Sequence, residues 1–152
     1  MYITLETDYA VRIVAELSRT GEKLDARTIS ERASVTLRFA LKILRKLVAA
    51  DIVKSYKGTQ GGYMINLPPE QITLRMVIEA IEGTYCFSRC ISPDCDCNRG
   101  MSGKCTFQQA FCQITHLVRE KLDSFNFAEL IDADVEEMKL LSPVQPEEKK
   151  PQ

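Results

Sequence analysis

The sequence of 152 residues contains no apolar run that approaches the length of a membrane span, and it has only one histidine, His116. A membrane-spanning helix needs about 20 consecutive apolar residues, so no membrane association is expected. The N-terminus carries acids where a signal peptide would carry bases, which predicts a cytoplasmic location. A nucleophilic cysteine needs a neighbouring base, and no Cys–His–acid arrangement is evident around His116. The sequence therefore argues against an enzyme.

An excess of charge of either sign is also lacking, since the net charge is −1. The charge is nevertheless unevenly distributed. Residues 1–66 contain 11 basic and 7 acidic residues, whereas residues 67–152 contain 9 basic and 14 acidic residues. The basic half could face a polyanion while the acidic half faces away. Residues 142–152 lack core-forming side chains except Val144, which predicts a disordered tail.

Apolar periodicity predicts three short helices, a β-hairpin and three further helices. Thr7 or Asp8 is expected to cap the first helix, and the apolar stripe of the third is expected at Leu37, Leu41, Leu44 and Val48. The predicted helices span residues 7–19, 25–33, 36–50, 73–81, 105–122 and 127–140, and the strands span 51–56 and 63–66. Three helices followed by a hairpin are typical of a winged helix-turn-helix. We therefore predict a mainly α fold with a small β-hairpin wing, formed by a winged helix-turn-helix and a long C-terminal helix.

The third helix and the hairpin turn have the composition of a DNA-binding surface. Six basic residues and a single acid, Asp51, lie between Arg38 and Lys57. An arginine at the start of a recognition helix can donate two hydrogen bonds to a guanine edge, and a glycine-rich turn can enter the minor groove. A solvated helix face and an ordinary tight hairpin are the alternatives. The candidate DNA-binding residues are Thr36, Arg38, Phe39, Lys42, Arg45, Lys57, Gln60, Gly61, Gly62 and Tyr63, with Lys46 as a further phosphate contact.

Three stretches give the chain a family resemblance: TDYAVRIVAELS, ARTISERASVTLRFALKILRKLVAADIVKSYKGTQGGY and PPEQITLRMVIEAIEG. Over residues 1 to about 131 it resembles the Rrf-two family of winged-helix regulators. The resemblance implies a homodimer, joined through the long penultimate helix, that represses or activates transcription at a palindromic operator in double-stranded DNA. Arg38-Phe39-Ala40 replaces the Ser-Tyr-Leu common in the family, so a different operator is expected.

The resemblance divides the chain into four predicted parts. They are a DNA-binding domain at 1–83, a cysteine-rich loop at 84–104, a dimerisation helix with a closing helix at 105–141, and the tail at 142–152. The six cysteines are Cys86, Cys90, Cys95, Cys97, Cys105 and Cys112. In a reducing compartment such a group more often binds metal or senses redox state than forms structural disulfides.

Cluster-binding members of the family carry three cysteines in this loop, which implies an iron–sulfur cluster held by Cys90, Cys97 and Cys105. Cys105 lies 25 residues before Leu130, as the family's third cysteine does before its closing motif. Cys95 competes with Cys90 for the first position. The cluster could contain two or four irons.

The fourth ligand is less defined by the resemblance. IscR-like members have a histidine where this chain has Gln108, whereas NsrR-like members can use an aspartate of the partner subunit, which corresponds to Asp8. Asp8 could equally be a simple helix cap. The open alternatives for the cysteines are a zinc site, a thiol–disulfide sensor, and a metal-free CymR-like regulator controlled by a protein partner.

Overall fold

The computed structural model describes residues 3–91, 97, 100–101 and 103–136. Within these residues, helices and one antiparallel hairpin follow each other in the predicted order. The elements are α1 (Leu5–Thr20), α2 (Ala26–Arg32), α3 (Leu37–Ala49), β1 (Val53–Tyr56), β2 (Gly62–Ile65), α4 (Leu74–Glu82), α5 (Thr106–Asp123) and α6 (Phe127–Glu136). The predicted end of the last helix, residues 137–140, and the tail at 142–152 lie outside the described residues. The described helices include none long and apolar enough to cross a membrane.

Helix α1 begins two residues earlier than predicted because Thr4, rather than Thr7 or Asp8, is its N-cap. The Thr4 side chain accepts a hydrogen bond from the Thr7 amide at 3.3 Å, which satisfies one of the free N–H groups of the first turn. Gly21 ends the helix in the left-handed conformation, with φ of 60°. The apolar face of α1 is fully buried at Ala10, Ile13, Val14 and Leu17.

Helices α2 and α3 form the helix-turn-helix, and α3 is rotated relative to the prediction. The predicted stripe at Leu37, Leu41, Leu44 and Val48 is confirmed at Leu44 and at Val48, which packs partly buried against the core, and is wrong at Leu37 and Leu41. The fully buried residues of α3 are Ala40, Ile43, Leu44 and Leu47, whereas Leu37 is 39% exposed. The sequence contains two overlapping apolar sets with helical spacing, and periodicity alone does not rank them. Packing of α3 against both α1 and α4 selects the set that includes the small Ala40.

The hairpin is the wing, and its register pairs Val53 with Ile65 and Tyr56 with Gly62. The first strand starts later than predicted because Asp51 lies in a turn with φ of 57°. The wing is anchored to the residues before α2, because Leu24 and Tyr63 exchange two main-chain hydrogen bonds of 2.9 and 2.8 Å. This contact brings a third chain segment beside the hairpin.

The remaining helices close the core behind the helix-turn-helix. Thr73 caps α4, and Gly83 ends it. Phe127, at the start of α6, is 1% exposed, and its amide donates to the Ile72 carbonyl at 2.9 Å. The chain therefore returns after α5 to seal the core beside the start of α4. Helix α5 agrees with the predicted long helix, with Cys105 as its N-cap.

Candidate nucleic-acid interface and cysteine loop

The exposed surface of α3 is a shallow concave face that carries most of the predicted base-reading residues. It is lined by Leu37, Arg38, Phe39, Leu41, Lys42 and Arg45. Thr36 is the N-cap residue and makes no side-chain cap hydrogen bond. Arg38 and Arg45 are exposed and have no acidic partner within the described part of the chain. Both guanidinium groups can therefore reach a nucleic acid without first breaking an ion pair.

Phe39 has a structural partner although 44% of it is exposed. Its ring packs edge-on against Tyr9, with the ring centroids 6.1 Å apart. The Arg12 guanidinium lies over the Tyr9 ring at 5.5 Å and pairs with Asp8 at 2.7 Å. These contacts hold the start of the recognition helix against α1. Asp8 is thus a half-exposed residue within α1 and does not cap it.

Two of the predicted phosphate contacts on α3 are paired with Glu6 of α1. The Lys42 ammonium lies 2.9 Å from Glu6 and the Lys46 ammonium lies 2.8 Å from it. Hydrogen bonding to Lys46, followed by that to Lys42, holds the pKa of Glu6 below its ordinary value despite the opposing effect of burial. Lys46 also donates to the Ile81 carbonyl of α4 at 3.0 Å. Lys46 therefore links three helices, and Lys42 is only partly available to DNA.

The wing carries a cationic group that the sequence analysis missed. The ammonium groups of Lys23 and Lys54 lie 5.6 and 5.8 Å from the ring centre of Tyr56, and Lys23 donates to the Gln60 carbonyl at 2.7 Å. The alternation of a strand places residues 54 and 56 on one face, so Lys54 could have been predicted. Lys23 could not, because only the long-range pairing of Leu24 with Tyr63 brings it to the wing.

The predicted residues of the turn divide into an exposed tip and a packed base. Lys57 and Gln60 are exposed at the tip, whereas Gly62 is buried and Tyr63 packs against the core. A Cβ atom on Gly61 would lie 2.5 Å from the Tyr56 carbonyl oxygen, and one on Gly62 would lie 2.6 Å from that of Leu24. Gly58 instead provides the positive φ, 103°. Gly61 and Gly62 are required because the main chain of another residue lies too close for a side chain, and Gly58 is required because the turn needs a positive φ.

The end of α4 is bonded to the start of α1. The Glu82 carboxylate accepts hydrogen bonds from the Thr4 amide at 3.0 Å, from the Thr4 hydroxyl at 2.9 Å and from the Thr7 hydroxyl. These bonds, with that from Thr7 the strongest, hold the pKa of Glu82 below its ordinary value. The cysteine-rich loop begins two residues later, at Thr84. The residues immediately before the loop are therefore bonded to α1 and α3, which carry the candidate DNA-binding surface.

The cysteine loop brings two of the predicted ligands to the same end of α5. The Gln108 side-chain amide donates to the Cys90 carbonyl at 2.7 Å, and Gln108 lies one turn after Cys105. Cys90, Cys97 and Cys105 are partly buried, and the described cysteines form no disulfide. Cys95 lies outside the described residues. No group of three or more cysteine, histidine or acidic side chains is close enough to hold a metal ion within the described residues.

The donor set fits an iron–sulfur cluster in its chemistry. Thiols are the usual cluster ligands, three of them lie on or beside one loop, and none of the three is consumed by a disulfide. The Cys97 carbonyl oxygen accepts a hydrogen bond from the Gly100 amide at 2.8 Å. The described thiols do not converge on one point, so a cluster would require the loop to close further.

Helix α5 exposes a continuous row of apolar residues, which we call the α5 apolar stripe. It consists of Phe107, Ala110, Ile114 and Leu117, which recur at helical spacing. Phe107 is 69% exposed and Leu117 is 65% exposed. On the opposite side, Thr115 is buried and accepts from the Phe87 amide at 3.1 Å. The helix thus has an inward face that holds the start of the loop and an uncovered apolar face.

Comparison with known proteins identifies the family. Residues 3–133 match the Rrf2 (Rrf-two) family, described as an iron-dependent transcriptional regulator. The chain belongs to this family. The match extends over the winged helix, the cysteine loop and both C-terminal helices. It therefore confirms the resemblance that the sequence motifs indicated.

Individual relatives support the same conclusion. The chain is 26% identical to the HTH-type transcriptional regulator IscR of Aliivibrio salmonicida, covering 91% of this chain and 82% of that one. It is 25% identical to the HTH-type transcriptional regulator NsrR of Bacillus subtilis, covering 93% and 97%. The solved structure of CymR, the global cysteine regulator of B. subtilis, superposes with a TM-score of 0.68, at 23% identity and coverage of 87% and 97%.

These matches establish the class of protein. The predicted winged-helix fold, mainly α with a β-hairpin wing, is confirmed. The family and its named members are transcriptional regulators, so the predictions of a transcription regulator and of a protein that is not an enzyme are confirmed as well. The division of the chain at residues 83, 104 and 141 and the individual site residues remain predictions.

Proposed function

We propose that this regulator binds a palindromic operator as a homodimer and that its cysteine loop holds an iron–sulfur cluster that adjusts DNA affinity. The observation that carries the proposal is the attachment of the loop to the DNA-binding helices. The loop starts at Thr84, shortly after Ile81, whose carbonyl is bonded to α3, and Glu82, whose carboxylate is bonded to α1. A change in the loop therefore acts on both helices through short, polar contacts.

On the DNA side, α3 enters the major groove and the wing contacts the neighbouring backbone or minor groove. Arg38 reads a base edge, because it is exposed at the start of α3 and has no acidic partner in the described chain. Thr36 and Phe39 flank it, and Arg45 contacts phosphate. Lys57 and Gln60 contact the DNA from the wing tip, and Lys23 and Lys54, which lie around Tyr56, add positive charge beside them.

The homodimer is proposed to form through the α5 apolar stripe. Soluble proteins rarely leave a row of large apolar side chains uncovered, and a symmetric pair of identical helices buries such a row on both chains. The stripe runs along the face of α5 opposite to the face that packs on the rest of the chain. Dimerisation would thus leave the winged helix free to reach two half-sites.

The proposed cluster ligands are Cys90, Cys97 and Cys105, with Asp8 of the partner subunit as the fourth. When bound, an iron–sulfur cluster supplies iron that reacts with oxidants and nitric oxide. Asp8 is suited to this role because it is half-exposed and its only described ion-pair partner, Arg12, is on its own helix. A carboxylate of α1 at the cluster would give the loop a second connection to the DNA-binding helices.

The route from the loop to the recognition helix runs through this chain's own side chains. Glu82 fixes the start of α1 through Thr4 and Thr7, and Glu6 of the same helix holds Lys42 and Lys46 of α3. Lys46 also returns to the Ile81 carbonyl, which closes a ring of contacts among α1, α3 and α4. Displacement of the α4 end would shift the position of Arg38, and DNA affinity would change with it.

The decisive experiment is anaerobic purification of the full chain, with an absorption spectrum, iron and sulfide analysis, and gel shifts with a promoter fragment. We expect stoichiometric iron and sulfide, a visible absorption band, and DNA affinity that differs between the loaded and metal-free protein. Cys97→Ala should abolish both the iron and the difference in affinity. Cys112→Ala is the matched control, because Cys112 lies within α5, two turns after Cys105, and is not a proposed ligand, and it should retain both.

The outcomes separate the alternatives that the sequence leaves open. Colourless protein with one zinc per chain would contradict the cluster and favour a structural metal. Metal-free protein whose DNA affinity changes with thiol oxidation, or only with a protein partner, would favour a CymR-like regulator. Unchanged iron in the Cys97→Ala variant would exclude the proposed ligand set.

A further inference from the structure

Gln108 joins the two ends of the cysteine loop with a single side chain. Its amide nitrogen donates to the Cys90 carbonyl at 2.7 Å, and its amide oxygen accepts from the Gly103 amide at 2.8 Å. Gln108 lies in the first turn of α5, one turn after the N-cap residue Cys105. Both polar ends of the side chain are therefore occupied, and this residue links Cys90 to Gly103.

We propose that Gln108 is a positioning residue that holds Cys90 at the start of α5, close to Cys105. The side chain is part-buried and its two hydrogen bonds satisfy its amide as both donor and acceptor, so it serves the loop main chain and is not itself a ligand. Ser88, whose hydroxyl lies 3.2 Å from the Cys90 sulfur, supports the same thiol. The inference also favours Cys90 over Cys95 as the first ligand. The importance of Gln108 for a cluster rests on the proposed function, whereas its effect on the proximity of the Cys90 and Cys105 thiols does not.

Thiol proximity can be measured without any metal. In the reduced, metal-free full chain, Cys86, Cys95, Cys97 and Cys112 are changed to Ser, and dibromobimane is used as a reagent that fluoresces after bridging two thiols. Bridging of Cys90 to Cys105 is expected in this background. Gln108→Leu should slow bridging by about tenfold, because both hydrogen bonds are lost. Gln109→Leu is the matched control, since Gln109 is exposed on the polar side of α5, and it should have no effect.

A second variant distinguishes the two hydrogen bonds. Gln108→Glu keeps an acceptor for the Gly103 amide but removes the donor to the Cys90 carbonyl. Hydrogen exchange at Gly103 should therefore stay slow in Gln108→Glu and become fast in Gln108→Leu, whereas bridging of the thiols should be slow in both. Far-UV circular dichroism confirms that each variant keeps its helices. Equal bridging in the wild-type background and Gln108→Leu, or equal loss in Gln109→Leu, would overturn the proposal.

The loaded protein gives an independent readout. In anaerobically reconstituted protein with all six cysteines, Gln108→Leu should lose iron to a ferrous chelator about tenfold faster than the wild type, a typical effect of a residue behind the ligands. Iron retention equal to the wild type, with slowed bridging, would show that Gln108 closes the loop without positioning a ligand, and would refute the inference. If the wild type itself held no iron, the proposed function would fail, and the bridging result would still decide the role of Gln108.

Discussion

The sharpest prediction concerns Leu117, the last residue of the α5 apolar stripe. Leu117→Ala removes the equivalent of three methylene groups, each worth about 0.8 kcal/mol when buried. Because 65% of the side chain is uncovered in the single chain, dimerisation can bury roughly two thirds of that amount, about 1.5 kcal/mol per protomer. A symmetric dimer contains the residue twice, so the loss is about 3 kcal/mol, which weakens the dimer on the order of 100-fold.

Sedimentation velocity over a dilution series, performed on the metal-free protein, measures this change directly. The matched control is His116→Ala, which removes an exposed side chain that points away from the stripe on the same helix and should leave the dimerisation constant unchanged. Since Leu117 is mostly exposed in the single chain, circular dichroism should show an unchanged helix content in the variant. A dimer of wild-type affinity in Leu117→Ala, or equal weakening in His116→Ala, would refute the placement of the interface on this stripe.

Three further predictions test the DNA-binding unit. Arg38→Ala should cost about 1–3 kcal/mol of the free energy of operator binding and relax the sequence preference. Lys57→Ala should weaken binding to all duplexes alike and lower the salt dependence of binding by about one charge. Fluorescence anisotropy at several salt concentrations measures both effects. Gly61→Ala places a Cβ atom 2.5 Å from the Tyr56 carbonyl oxygen and should weaken operator binding. Thr59→Ala, at the exposed turn, is the control and should not weaken it. Equal operator affinities of the two variants would refute the role of the turn. The pKa values of Glu6 and Glu82 are lowered in the folded protein from the ordinary value of 4.5. The two carboxylates therefore contribute fully to the free energy of unfolding above pH 4.5. This contribution is lost as the pH falls through their lower folded-state pKa values. Urea unfolding between pH 7 and pH 3 should show this loss. Glu82→Ala removes the acceptor for Thr4 and Thr7, so it should lower the free energy of unfolding by about 1–2 kcal/mol at pH 7 and flatten the dependence of that free energy on pH. An unchanged pH dependence in Glu82→Ala would contradict the assignment.

Local patterns in the sequence were sufficient to predict the order of the elements. Caps such as Asp25, which accepts from two amides of α2, and stops such as Gly83 act within a few residues, so they can be identified without tertiary structure. The buried face of α3 could not be predicted in the same way. Its two overlapping apolar sets differ by a rotation of the helix, and the choice between them depends on how α1 and α4 pack against it.

The candidate site shows the same division between local and long-range causes. Arg38, Phe39 and Lys57 are exposed on their elements, as spacing and composition suggested. The partners that modify them were not predictable, because Tyr9 reaches Phe39, Glu6 reaches Lys42, and Lys23 reaches the wing only after the chain has folded. The Gln108 bonds to residues 90 and 103 are also a product of the fold, although the position of Gln108 after Cys105 was visible in the sequence.

The ion pairs of α3 change what its basic composition means. Of its four cations, Lys46 is committed to Glu6 and to the Ile81 carbonyl, and Lys42 shares the same carboxylate, whereas Arg38 and Arg45 have no acidic partner in the described chain. A count of positive charges therefore overestimates the number of groups that can neutralise phosphate without a cost. The paired lysines instead fix the orientation of the helix relative to α1 and α4. Because the cysteine loop follows the end of α4, the proposed function assigns these paired lysines a second role: a signal from the loop would reach the helix through them, and the unpaired arginines would transmit it to DNA.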